Sequence, residues 1–218
     1  MNETSGSLRE KKHARTKVGL MNAFMERLKK DRFDNISIKE VCRDVEVAEG
    51  TFFNYFPEKI DVIVYYLQLI TIKMIWKAKQ DVPSGRYLAL INSVFSQLAE
   101  ELVDTNVIYQ ILSVLVVQSE HPKKMEISGL EKQMAFPDQT GIENGSSEML
   151  DSWLKECLAA ARKNGELPSK VNIDDVQVSL VTILSGTLLA IKFGNVKSRV
   201  YHYQRQLQAL WQGLGVRG

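Results

Sequence analysis

Cysteine is almost absent from this chain of 218 residues: Cys42 and Cys157 stand far apart and form no Cys-x-x-Cys pair. That excludes a disulfide-framed scaffold and a thiolate metal site, and predicts two buried thiols in a reducing, cytoplasmic setting with no bound metal. Histidine is as sparse. His13, His121 and His202 are isolated, and neither His-Glu-x-x-His nor Gly-x-Ser-x-Gly occurs. With no catalytic constellation, the expectation is a protein that is not an enzyme and needs no cofactor. Gly213, Gly215 and Gly218 match Gly-x-Gly-x-x-Gly, but no strand precedes them and no helix follows, so a frayed tail is expected there.

Long apolar runs are also missing. The most apolar stretch, 176–193, is interrupted by Gln177, Ser179, Thr182, Ser185 and Lys192, too polar a set for a membrane span. The first thirty residues hold no apolar core of the kind a signal peptide needs, so no export is expected. Proline occurs only five times, and alternating strand-like runs are absent. Leucine, isoleucine and valine instead recur at steps of three and four, which predicts an all-α fold. The net charge of +2 is too slight to argue for nucleic acid. Its distribution says more: over 1–17 the cations Arg9, Lys11, Lys12, Arg15 and Lys17 outnumber Glu3 and Glu10 by three, making a basic arm that suits phosphates.

Residues 36–59 carry the most specific signal. Ser37 with Glu40 three residues on is a capping box, so a short helix starts at Ile38 with Val41, Cys42 and Val45 as its apolar face. After a tight turn a second short helix begins near Glu49 and ends in an aromatic run, with Val47 and Phe52 as inward anchors. Two short helices about a tight turn make a helix-turn-helix, whose second helix enters a DNA major groove.

The run Gly50-Thr51-Phe52-Phe53-Asn54-Tyr55-Phe56-Pro57-Glu58-Lys59 resembles the TetR family of one-component regulators, where this helix ends in Gly-Thr-(apolar)-Tyr/Phe-x-Tyr/His-Phe-x-x-Lys. The resemblance covers 9–64, with the basic lead-in; beyond it only architecture is suggested. It implies that Thr51, Tyr55 and Lys59 hold the DNA backbone, as does Ser37, and that Lys39 joins the DNA-facing set. Glu49, Gly50, Phe53 and Asn54 would face base edges or sugars. Asn54 has the chemistry for a bidentate pair with adenine, and Phe53 for contact with a thymine methyl. Pro57 is expected at the first position of the next helix, which puts Lys59 in that helix's first turn.

Four positions depart from the family pattern. Glu46 replaces the usual glycine of the turn, Ala48 the usual Ser/Thr cap, Arg32 the usual glycine closing the first helix, and Phe53 a common tyrosine. Positive φ or a reshaped turn is predicted at Arg32 and Glu46, at a cost of about 1–2 kcal/mol for a non-glycine residue. The missing cap costs about 1 kcal/mol.

The remaining periodicity predicts helices over 9–30, 57–80, 85–102, 106–118, 123–134, 148–163, 172–193 and a final one to 214. His121-Pro122 breaks the pattern, 136–146 reads as a mobile loop, and Asn164-Gly165 reads as a left-handed helix cap. The domain organisation expected is a DNA-binding head with its basic arm over 1–56 and a helical ligand-binding and dimerisation domain over 57–218. Residues 172–193 are apolar around much of the helix, with Ser179, Thr182, Gly186 and Ala190 small enough for a close neighbour. Val196, Val200, Tyr203, Leu207, Leu210 and Leu214 follow at steps of 4, 3, 4, 3 and 4, a heptad seam. These two helices are expected to make a homodimer, as the resemblance also implies, so that two heads read a near-palindrome.

Trp76, Phe95, Tyr109 and Trp153 are the candidates for lining an effector pocket, since large amphipathic side chains often line apolar cavities. The function expected is a DNA-binding repressor released from a palindromic operator by a small apolar effector. Two alternatives stay open: an adaptor of the same architecture acting through protein contacts, and a helical ligand carrier or enzyme.

Overall fold

The computed structural model describes residues 6–101, 104–117, 123–194 and 198–216. Leu102, Gln118, the His121-Pro122 break, Val196 and the terminal Arg217 and Gly218, like Glu3 of the arm, lie outside them. The described residues form ten α-helices and two 3-10 turns, and no strand occurs among them. The all-α expectation holds.

The chain packs into two compact units, one of Met1–Lys73 with Asp104–Ser147 and one of Met74–Val103 with Glu148–Gly218. The first holds α1 (Leu8–Leu28), α2 (Ile38–Asp44), α3 (Glu49–Tyr55), the start of α4 (Asp61–Asp81), α6 (Thr105–Val117) and α7 (Gly129–Ala135). Ser7 and Glu10 make a full capping box for α1: Glu10 accepts from the Ser7 amide at 2.7 Å, and the Ser7 hydroxyl accepts from the Glu10 amide at 3.2 Å. Ala14, Val18, Met21, Phe24, Met25 and Leu28 are buried at helical spacing. Phe33, in the 3-10 turn Phe33–Asn35, closes this face with its ring edge-on to Phe24. Arg32 itself is extended, with φ −73°, so the reshaped turn forms without a left-handed residue. Gln110 of α6 holds the end of α1: its amide donates to the carbonyls of Leu28 and Asp31 at 2.9 and 3.0 Å and accepts from the Phe33 amide at 2.8 Å.

Two expectations in this unit are corrected. Residues 123–128 are not helical, and α7 begins only at Gly129, capped by Ser128. The cause is Gln68, a buried amide on α4 that accepts from the Met125 amide and donates to the carbonyls of Met125 and Ser147. Backbone groups so engaged are unavailable to a helix. Residues 136–146, expected as a mobile loop, are pinned: Ile142 is fully buried, Lys132 donates to the Gly145 carbonyl, and Gly141 takes φ 91° at the entry to a second 3-10 turn, Ile142–Asn144.

The second unit holds the end of α4, α5 (Tyr87–Glu101), α8 (Leu150–Lys163), α9 (Ile173–Phe193) and α10 (Arg199–Gly213). Glu166 caps α5 from a distance, its carboxylate accepting from the amides of Tyr87 and Leu88 at 2.9 and 3.0 Å. Gly165 has φ 79°. Its amide bonds to the Arg162 carbonyl and that of Glu166 to the Ala161 carbonyl, the left-handed cap that Asn164-Gly165 predicted. Gly215, at φ 78°, ends α10 the same way through Gln212 and Trp211. The described part of the glycine motif therefore terminates a helix and is no frayed end.

Tyr203 and Leu207 of the expected seam are buried within this unit, the Tyr203 hydroxyl donating to the Leu184 carbonyl at 2.8 Å. These two close the unit's own core, whereas Val200, Leu210 and Leu214 are half-buried. What α9 leaves open is a different stripe: Val178, Val181, Leu189 and Phe193 are exposed, Val178 at 66% and Phe193 at 83%. By length and composition α9 is apolar enough to cross a membrane. Its other face packs Val176, Leu180 and Leu188 inward, and the Gln206 amide donates to the Thr187 hydroxyl at 2.7 Å.

Candidate nucleic-acid interface

The head is assembled on α1. Arg27 forks onto α2, with one nitrogen 2.7 Å from Glu40 Oε2 and another 2.7 Å from Asp44 Oδ2. Those two carboxylates raise its pKa. Glu40 is therefore turned away from the reciprocal half of its capping box, although the Ser37 hydroxyl still accepts from the Glu40 amide at 3.4 Å. Gly19 allows α1 and α2 to approach, since a Cβ there would lie 3.3 Å from a Val45 methyl.

Helix α2 stops at a left-handed residue, Glu46 at φ 58°. The Glu46 amide bonds to the Arg43 carbonyl and the Val47 amide to the Cys42 carbonyl, so the turn keeps the hydrogen bonds of a glycine cap while carrying a side chain. Helix α3 then begins after Ala48, which supplies no side-chain cap. Phe52 and Phe56 anchor it, both fully buried with rings 5.6 Å apart, and Phe56 lies 5.5 Å from the ring of Tyr65 on α4. Burial and the Glu49 carboxylate push up the pKa of Cys42 beneath α3, against a hydrogen bond from the Phe52 backbone.

With one face so fixed, the opposite face of α3 is open. Glu49, Gly50 and Asn54 are exposed, Phe53 is 50% exposed, and a Cβ on Gly50 would meet nothing within 4 Å. Ser37 and Lys39 are exposed at the start of α2, and Thr51 and Tyr55 are half-buried. The ring of His13 of α1 lies tilted against that of Tyr55, 4.7 Å between centroids, a neighbour that nothing in the sequence marked. Lys59 departs from expectation. Helix α4 starts at Asp61, whose carboxylate accepts from the Glu58 amide at 2.7 Å, and 57–60 form a turn before it. Lys59 thus sits before the helix, donating to the Asp34 carbonyl at 3.2 Å with its ammonium 4.9 Å from the Phe33 ring. Burial lowers its pKa, against the Asp34 charge.

A similar fold is found in the transcriptional regulator FadR of Bacillus subtilis, solved in complex with stearoyl-CoA; the match covers 89% of this chain and 97% of that one, with 15% identity and a TM-score of 0.58. The fold is TetR-like. Also similar are CprB, a TetR family protein of S. coelicolor A3(2) (13% identity, 91% and 98% covered, TM-score 0.45), and a γ-butyrolactone receptor described as ArpA-like (16%, 95% and 100%, 0.40). No family model and no curated protein matches the sequence.

Within this TetR-like fold the aromatic candidates for an effector site fall in different surroundings. Phe95 is fully buried, edge-on to Tyr203, and Trp153 is buried on α8. Trp76 and Tyr109 are half-buried, and Tyr109 belongs to the first unit. None of the four lines the groove of about 980 Å3 in the second unit, whose walls include Asn92, Ser96, Glu166, Gln204 and Trp211. In that groove the Trp211 indole donates to the Asn92 side-chain oxygen at 2.8 Å. Among the described residues no three His, Cys, Asp or Glu side chains gather as a metal site would require.

Proposed function

We propose that this protein is a DNA-binding transcriptional regulator, a repressor that acts as a homodimer in the cytoplasm. One observation carries the reading: Phe52 and Phe56 fix α3 from behind while Glu49, Gly50, Phe53 and Asn54 stand open in front, after a turn that ends α2 at Glu46. In this reading those four residues meet bases or sugars. Ser37, Lys39, Thr51, Tyr55 and Lys59 grip the backbone on either side and set the register. Lys59 would leave the Asp34 carbonyl to do so. Lys17 of the basic arm is buried, but Arg9, Lys12 and Arg15 are exposed and Lys11 half-buried, and these four add a salt-sensitive component.

The dimer forms through the last two helices, with the open stripe of Val178, Val181, Leu189 and Phe193 on α9 as its apolar centre. The functional division is a head over 1–56 and an effector and dimer region over 57–218. A small apolar molecule releases the operator; the stearoyl-CoA bound by FadR is of that chemical kind in its acyl chain. Trp76, Phe95, Tyr109 and Trp153 are the candidates to touch it. Coupling of about 1–3 kcal/mol between effector and DNA suffices for such a switch.

Selection of bound duplexes from a random pool tests the reading. A recovered near-palindrome, bound more weakly as salt rises and lost with Tyr55→Ala or Lys59→Ala, is the expected result. Failure to select any sequence would favour an adaptor working through protein contacts, and intact affinity in both variants would overturn the contact assignment.

A further inference from the structure

Three buried polar side chains in the first unit are not used by the DNA-facing surface. Lys17 of α1 is 6% exposed and Glu131 of α7 4%, with their charged groups 3.0 Å apart. The Lys17 ammonium also donates to the Glu126 carbonyl at 3.1 Å and lies 4.5 Å from the centre of the Tyr65 ring. Tyr65 of α4 is fully buried, and its hydroxyl donates to Glu131 Oε2 at 2.7 Å. The second carboxylate oxygen accepts from the Ser128 hydroxyl at 3.2 Å. Burial, reinforced by the Glu131 charge, raises the Tyr65 pKa far above its ordinary value, so the phenol is a permanent donor.

Such a cluster is a poor way to gain stability. Desolvating two charges offsets most of their attraction, and well-packed apolar replacements of similar volume are often neutral or better. A satisfied buried network can instead hold one geometry, because its donors and acceptors meet in only one register whereas apolar surfaces tolerate sliding. Here the register is that of α1 against α4 and α7. Helix α1 in turn carries α2 through Arg27 and touches the end of α3 through His13 and Tyr55. A cleft of about 620 Å3 beside the cluster, bordered by His13, Lys17, Asn54, Tyr55, Glu126 and Glu131, gives the end of α3 room to shift if that register is lost.

We infer that Lys17, Tyr65 and Glu131 are positioning residues of the reading head, fixing the angle at which α3 is presented. The inference rests on the proposed role of α3 in binding DNA, but the loosening it requires can be measured without DNA. The decisive variant is the full-length triple Lys17→Met, Tyr65→Phe, Glu131→Leu, which removes the network and keeps the volume. It should melt at or near the wild-type temperature while amide exchange in α1 and α3 rises about tenfold or more over that in α9. Its preference for a selected palindrome over duplexes with half-sites one base pair closer or farther apart should fall by a similar factor.

Wild-type exchange in a folded triple variant overturns the inference, whatever happens on DNA. If the wild type selects no DNA but exchange in the head still rises, the regulator reading fails and the positioning role stands. Should the triple variant not fold, Glu131→Gln keeps the volume and the Tyr65 hydrogen bond but leaves the Lys17 charge uncompensated. Exchange raised in α1 and α3 beyond that in α6 supports the inference, and uniform loss across the unit overturns it.

Discussion

Replacing Glu46 by glycine should make this protein more stable, the reverse of the usual effect of a glycine substitution. Glu46 is the one non-glycine residue with positive φ among the described residues, at 58°, and its side chain is exposed. A Cβ in that conformation costs about 1–2 kcal/mol, while the added freedom of glycine in the unfolded chain returns about 0.5–1 kcal/mol. The balance is a gain of about 0.5–1 kcal/mol, or about 1–4 °C in Tm for a chain of this size. The turn's hydrogen bonds, from the Glu46 amide to Arg43 and from the Val47 amide to Cys42, are backbone bonds and survive the change. Glu46→Ala is the control: it removes the same charge but keeps the Cβ, and should gain nothing. Thermal unfolding followed by circular dichroism at matched protein concentration reads both. If Glu46→Gly melts no higher than Glu46→Ala, the turn is not strained and the account of this helix-turn-helix is wrong.

Gln110→Leu removes three hydrogen bonds to the backbone around the end of α1; at about 0.5–1.5 kcal/mol each, discounted because water reaches part of the site, it should cost about 2 kcal/mol. A fall in Tm of about 4–8 °C is expected, and no fall would mean that water replaces the amide fully. The proposed dimer predicts that the wild type sediments as a dimer and that Val178→Glu with Leu189→Glu yields a folded monomer; a surviving dimer would place the interface away from α9, and a monomeric wild type would refute the dimer. Burial pushes the Cys157 thiol up to about 12 from 9.0 and raises that of Cys42, so iodoacetamide at pH 8 should label neither until denaturant is added. Because the folded state of Cys157 keeps its proton where the unfolded chain loses it, its contribution to stability is complete below pH 9 and is lost as pH rises towards 12. Labelling of the native protein at the denatured rate would contradict this burial.

Local chemistry was legible in the sequence wherever one short segment decides the outcome. Ser37 and Gly165 mark helix ends because their own side chain, or lack of one, meets the backbone beside it. The departure at Glu46 could be read as a left-handed turn for the same reason. Elements decided at a distance were not legible. Residues 123–128 have helical periodicity, but Gln68 on another helix takes the Met125 backbone. Pro57 suits a first helical position, yet 57–60 form a turn and α4 starts only at Asp61. Lys17, Glu131 and Lys132 look like surface charges by spacing, and only tertiary packing buries them. A heptad likewise tells that a helix packs along one face, not whether the partner lies in its own chain, as it does for Tyr203 and Leu207.

The first compact unit is built from two separate stretches, Met1–Lys73 and Asp104–Ser147. The unit that carries the helix-turn-helix is not a cassette. Its α1 end is closed by Gln110 and its middle is tied to Glu131, so a transplant of the first sixty or seventy residues onto another effector region would leave both partners behind. A working chimera would need to exchange 104–147 with the head. Mutations in that second stretch, remote in sequence from α2 and α3, fall in the same compact unit as the helix-turn-helix.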